Sequence, residues 1–138
     1  MSQQNIAVLT LTLTTSGDVT ANRAVGFDGA QATVQGQKVM GASVTDAASG
    51  NPLALITSGT AILESGAAIA VGDSLVADSQ GRVIPASALT VAAGVTPVIS
   101  SGANGALLIG GDLPEFILAD ALQSASASGE MIEVLLRR

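Results

Sequence analysis

The chain of 138 residues contains no histidine, cysteine, tryptophan or tyrosine, and Phe27 and Phe116 are its only aromatic residues. Each absence removes a class of function. Without histidine and cysteine there is no imidazole base, no thiolate nucleophile or metal ligand, and no disulfide. Positive charge is also scarce. Five basic residues stand against eleven acidic ones, and a net charge of −6 has the wrong sign for the phosphate neutralisation that drives nucleic-acid binding. Nucleic acid is therefore not an expected partner. The longest uncharged stretch, Val83 to Gly111, is interrupted by Pro85, Pro97 and several glycines, so it is expected as strands and loops in water, with no membrane partner. The opening MSQQNIAVLTLTLTT has no basic segment and interleaves its apolar residues with threonine, so no signal peptide is expected there.

What remains is a vocabulary of Ala, Val, Thr, Leu, Ile, Gly and Ser, suited to packed strands and tight turns. The length fits one compact domain over residues 1–138. Hydrophobic residues make up 48% of the chain, but many are alanines, each burying little area at about 25 cal/mol per Å². The core is expected to be thin, with partner subunits adding stability.

Ala7, Leu9, Leu11 and Leu13 alternate with Thr10, Thr12 and Thr14 in the period-two pattern of a half-buried strand. Ser16-Gly17-Asp18 supplies turn chemistry, and Val19 to Asp28 is expected to pair back on the first strand as a hairpin. Further strands are expected at Lys38 to Thr45, Pro52 to Ser58, Thr60 to Glu64, Ser74 to Asp78 and Arg82 to Ile84. In the last third they are expected at Leu89 to Ser100, Ala106 to Ile109, Phe116 to Ala125 and Glu130 to Leu136. Asp78-Ser79-Gln80-Gly81 marks a hairpin turn, because Gly81 takes positive φ without a Cβ penalty, and Ser126 to Gly129 marks the last turn. Pro114 to Ala121 has a short helix as its alternative, with Pro114 in the first turn and Glu115 complementing the helix dipole. These elements imply an all-β fold class: a single-domain β-sandwich of jelly-roll type or a small barrel, with short hairpins and little helix.

An enzyme would have to be built from serines and carboxylates. Asp73, Asp78 and Glu64 come nearest to a cluster, with glycoside hydrolysis or calcium binding as the chemistry such carboxylates support. Aspartate at a hairpin end is, however, the ordinary donor-satisfying turn residue. Ser43, Ser58 and Ser65 have no histidine base, and no motif supports a serine–lysine pair through Lys38. No catalytic residue, metal site or cofactor is expected.

Three blocks carry a family resemblance: LTLTTSGDVTANRAVGFDG, then GASVTDAASGNPLALITSGTAILESGAAIAVGDSLVADSQGRV, then ALQSASASGEMIEVLL at the end of the chain. In this order they resemble the capsid decoration family of tailed bacteriophages, also called cement or head-stabilising proteins. The stretch of residues 85–115 is longer than the connection typical of that family and is expected as an elaboration. The resemblance implies a structural virion protein, made in the host cytoplasm, that binds the outer surface of the phage head. There it would cement neighbouring major capsid protein subunits and stabilise the expanded capsid. Its partners would be the major capsid protein and further copies of itself, as a homodimer or homotrimer.

Contact residues are expected in three places. Gln3, Gln4 and Asn5 belong to a polar arm over residues 1–6, Thr10, Thr12 and Thr14 form a polar stripe, and Arg137 with Arg138 gathers two of the five positive charges at one terminus. A virion-surface module binding host glycans is the competing function. It is disfavoured because sugars stack on aromatic faces and this chain has few.

Overall fold

The computed structural model describes residues 3–87 and 115–137. The strands expected at Leu89 to Ser100 and Ala106 to Ile109, and nearly all of the expected elaboration, lie outside the described residues. Within them there are eight strands and no helix: β1 Ala7–Thr14, β2 Ala24–Gly26, β3 Val39–Ser43, β4 Pro52–Glu64, β5 Ser74–Ala77, β6 Val83–Pro85, β7 Ala119–Ala121 and β8 Met131–Leu136. The short-helix alternative at Pro114 to Ala121 is thereby corrected for its described part. The N–H groups of Phe116 and Leu118 donate to Gly36 O and Leu75 O on neighbouring segments, so they are not available to close helical turns.

One antiparallel sheet runs β2-β3-β4-β8-β7-β5-β6 and curls into a nearly closed barrel. Its two ends approach each other where Ala24 N–H donates to Gly81 O at 2.7 Å and Gly36 N–H to Ala77 O at 2.8 Å. Of the sandwich and barrel expected from sequence, the barrel is the one formed. The β5–β6 turn is built as its sequence requires. Gly81 has φ 75°, and Asp78 Oδ1 accepts the N–H groups of Gln80 and Arg82 at 2.8 and 2.9 Å.

The interior is as thin as the composition implies. Eight of the eighteen residues of the main apolar cluster are alanines, packed around Leu63, Leu75, Ile132 and Val134. A second, smaller cluster of Val19, Val25, Leu53 and Leu55 lies on the other face of the sheet. β4 serves both clusters by changing face. Before Gly59 the odd-numbered Leu53 and Leu55 belong to the second cluster and Ile56 to the first; after it the odd-numbered Ala61 and Leu63 belong to the first. Gly59 sits at φ 104°, where a Cβ would come within 2.1 Å of Ile6 O, so only glycine fits the switch.

The first expected hairpin is not formed. β1 pairs with β4, from Ala7 opposite Gly59 to Thr14 opposite Pro52, while only Ala24–Gly26 of the expected second strand is extended, and it pairs with β3. The physical reason is the match of patterns: Leu11 and Leu13 of β1 stand opposite Leu55 and Leu53 of β4, two apolar ladders on one face. The chain between β1 and β2 instead wraps the second cluster, with Thr15 N–H donating to Asn51 O and Val19 bridged to Ala47.

Candidate interaction surface

β1 lies off the main strand order and pairs, among the described residues, with β4 alone. Its sequence pattern predicts one buried face, but the strand is exposed on both. Val8, Leu9 and Leu11 are 76%, 48% and 40% exposed, and Leu13 alone is partly buried, against the second cluster. The alternation is real and its burial is not. β4 packs its apolar residues into the two clusters, which leaves β1 as a ribbon with exposed apolar residues and one edge that is unpaired among the described residues. Thr10, Thr12 and Thr14 are exposed opposite Ile56, Ala54 and Pro52, on the face away from Leu11 and Leu13. The threonine stripe therefore exists as the sequence implies.

Gln3, Gln4 and Asn5 lead into β1 and are tied along β4 and β8. Asn5 Oδ1 accepts Ile62 N–H at 2.8 Å, Thr60 Oγ1 donates to Gln4 O at 3.3 Å, and Gln3 Nε2 donates to Gln123 Oε1 at 3.1 Å and to Met131 O. Ile6, beside them, is 53% exposed, like Val8, Leu9 and Leu11 after it. Ser2 lies outside the described residues.

Arg137 is engaged within its own protein. Its Nε donates to Asp120 Oδ2 at 2.6 Å and its Nη2 to Asp120 Oδ1 at 2.8 Å, a two-pronged pair joined by Ser74. The hydrogen bond and charge of Arg137 hold the Asp120 carboxyl below the ordinary carboxylate range, and Asp120 raises Arg137 in return. Arg138 lies outside the described residues. The structure does not bring the arm, the threonine stripe and Arg137 into one cluster of contacting side chains: each has its own partners.

The three carboxylates weighed for catalysis are also separated by their partners. Glu64 pairs with Arg23 at 2.6 Å, Asp78 with Arg82 at 2.8 Å, and Asp73 Oδ2 accepts Ala70 N–H at 2.8 Å in a turn. Among the described residues no group of acidic side chains is arranged to hold a metal ion. Sequence reasoning missed that the two phenylalanines converge, with the rings of Phe27 and Phe116 at 5.9 and 5.8 Å from the ammonium of Lys38. No local signal places Phe116 beside Phe27. Only the barrel closure does so.

Comparison with solved structures finds the head fiber gp8.5 N base of bacteriophage phi29, at 16% sequence identity and a TM-score of 0.60, covering 94% of this chain and 93% of that one. That likeness is one of fold. Comparison with curated proteins finds none that matches. The model of a family described as phage cement protein matches residues 2–136, nearly the whole chain. An all-β protein that matches that model almost from end to end is a phage structural protein, and the chain belongs to the phage cement protein family.

Proposed function

We propose that the protein binds the outer surface of the phage head and cements neighbouring major capsid protein subunits, with β1 as its principal contact strand. The observation that carries this reading is the two-faced exposure of β1, whose apolar Val8, Leu9 and Leu11 face solvent along a strand with one edge unpaired among the described residues. An edge of this kind invites strand addition by another chain, and natural proteins usually blunt it with charge or proline. Ala7–Thr14 contains neither. Backbone pairing suits a chain poor in aromatic anchors, because it draws affinity from the peptide groups themselves.

The family supports a capsid partner, and the fold shared with the base of a head fiber supports a position on the head. Each copy that spans a boundary between capsid subunits stabilises the assembled shell over the separated state, and many copies act together. A homodimer or homotrimer matched to local capsid symmetry would place several β1 strands on one shell site. The chain is read as one domain, with residues 85–115 as an elaboration of it. Co-sedimentation with expanded heads that lack this protein tests the proposal. Saturable binding that is lost in Val8→Asp and Leu9→Asp supports it, and wild-type protein that stays in the supernatant at all concentrations refutes it.

A further inference from the structure

Among the described residues, one of the four cations of this acidic protein has no carboxylate partner. Among the described residues Arg23, Arg82 and Arg137 each contact a carboxylate, whereas Lys38 contacts none. Lys38 is exposed, and its surroundings are unusual for this sequence: its ammonium lies within 6 Å of both aromatic rings of the chain, Phe27 and Phe116, which are 56% and 44% exposed.

The arrangement is built by backbone. Gln37 Oε1 accepts the N–H groups of Thr33 and Val34 at 2.9 and 3.0 Å and closes the turn that delivers Lys38 to the start of β3. Gly36 in the same turn, at φ 72°, donates to Ala77 O and accepts Phe116 N–H at 2.9 Å, which fixes the second ring. Phe27 follows directly on β2, where Asp28 Oδ1 accepts Ala30 N–H at 3.1 Å to tighten the turn. A pocket opens beside Lys38, lined by Met40, Gly41, Thr57, Ile117 and Leu118. Thr57 Oγ1 also donates to Leu9 O at 3.1 Å, so one wall of this pocket is held to β1.

We propose that this pocket is a docking site for an acidic segment of the major capsid protein, one carboxylate pairing with Lys38 while an adjacent apolar side chain enters the pocket. The inference rests on the capsid-binding reading and names a contact of that same surface. Charge complementarity selects the occupant. An exposed ammonium that has two ring contacts and, among the described residues, no carboxylate partner is available to an incoming anion. The pocket beside the charge mixes apolar walls, Met40, Ile117 and Leu118, with the polar groups of Thr57 and Arg137, which suits a peptide side chain.

The test measures binding of folded variants to purified heads lacking this protein, at low and high salt, with thermal melting as a fold control. Lys38→Gln is expected to melt like wild type, to bind heads about tenfold or more weakly, and to lose most of the salt dependence of wild-type binding. Lys38→Arg is expected to bind within about threefold of wild type, since guanidinium also stacks on aromatic rings. If wild type binds heads and Lys38→Gln binds equally well, the docking site is refuted while the capsid reading stands. If wild type binds no heads, both are refuted. Lys38→Gln changing the oligomeric state of the free protein, or abolishing a glycan-array signal with head binding intact, would assign the pocket to a second copy or to a sugar and overturn the proposal.

Discussion

Gly59 shows how much a single residue decides. At φ 104°, with Ile6 O only 2.1 Å from where a Cβ would stand, it permits both the face change of β4 and the close passage of the segment leading into β1. Gly59→Ala is expected to destabilise the protein by about 2 kcal/mol or more, because unfavourable backbone conformation and a backbone clash add. A thermal melt that falls by roughly 5 °C or more would agree with this. Gly81 takes a similar conformation and was legible in the sequence, since its neighbours Asp78 and Gln80 announce the turn. Gly59 was not legible, because the atom that excludes a side chain there belongs to Ile6, far away in the chain. Carboxylates act at this scale too. Asp120 is held below the ordinary range by Arg137, Glu115 by a hydrogen bond from Gln35 and others from Ser87, and Glu130 by hydrogen bonds from Ser126. With lowered values in the folded state, their stabilisation is complete above the ordinary carboxylate range of about pH 4 and is lost as pH falls through the lowered values. The melting temperature is therefore expected to be flat from neutral pH to about 5 and to fall in more acid solution, less steeply in Asp120→Asn.

Among the elements, β1 separates what periodicity reveals from what it hides. Alternation of leucine and threonine located the strand and its threonine stripe correctly, but alternation does not name a pairing partner, and a turn signal at Ser16-Gly17-Asp18 suggested the wrong one. Nor does alternation prove burial within one subunit. If β1 is the capsid contact, Leu9 and Leu11 have the pattern of a buried face because a second protein covers them. Substitutions on the two sides of the β1–β4 ladder should then diverge. Leu55→Ala, at a fully buried site, is expected to cost about 2–5 kcal/mol and to lower the melting temperature strongly. Val8→Asp and Leu9→Asp should leave the melt nearly unchanged while abolishing co-sedimentation with heads. A large loss of stability in Val8→Asp would show that Val8 serves folding instead.

For the molecule as a whole, the missing side chains and the observed architecture agree. A barrel core in which eight of eighteen residues are alanine, a net charge of −6 and two aromatic residues leave little means for the usual aromatic-centred interface, and the family is that of phage cement proteins. The all-β class was legible because strand-length apolar runs and turn residues recur along the chain. Choosing the barrel over the sandwich was not, since closure depends on Ala24, Gly36, Ala77 and Gly81 meeting across a long sequence separation. The convergence of Phe27, Lys38 and Phe116 was hidden for the same reason. If β1 and Lys38 are the capsid contacts, the consequence on the intact particle is avidity, with modest contacts repeated over many copies in place of a single dominant anchor. The most direct measurement is the temperature at which expanded heads lacking this protein rupture, recorded as purified protein is added back. Cementing through β1 predicts saturable binding accompanied by a rise in rupture temperature, with Val8→Asp protein giving neither. Heads that rupture at the same temperature with and without saturating wild-type protein would contradict it.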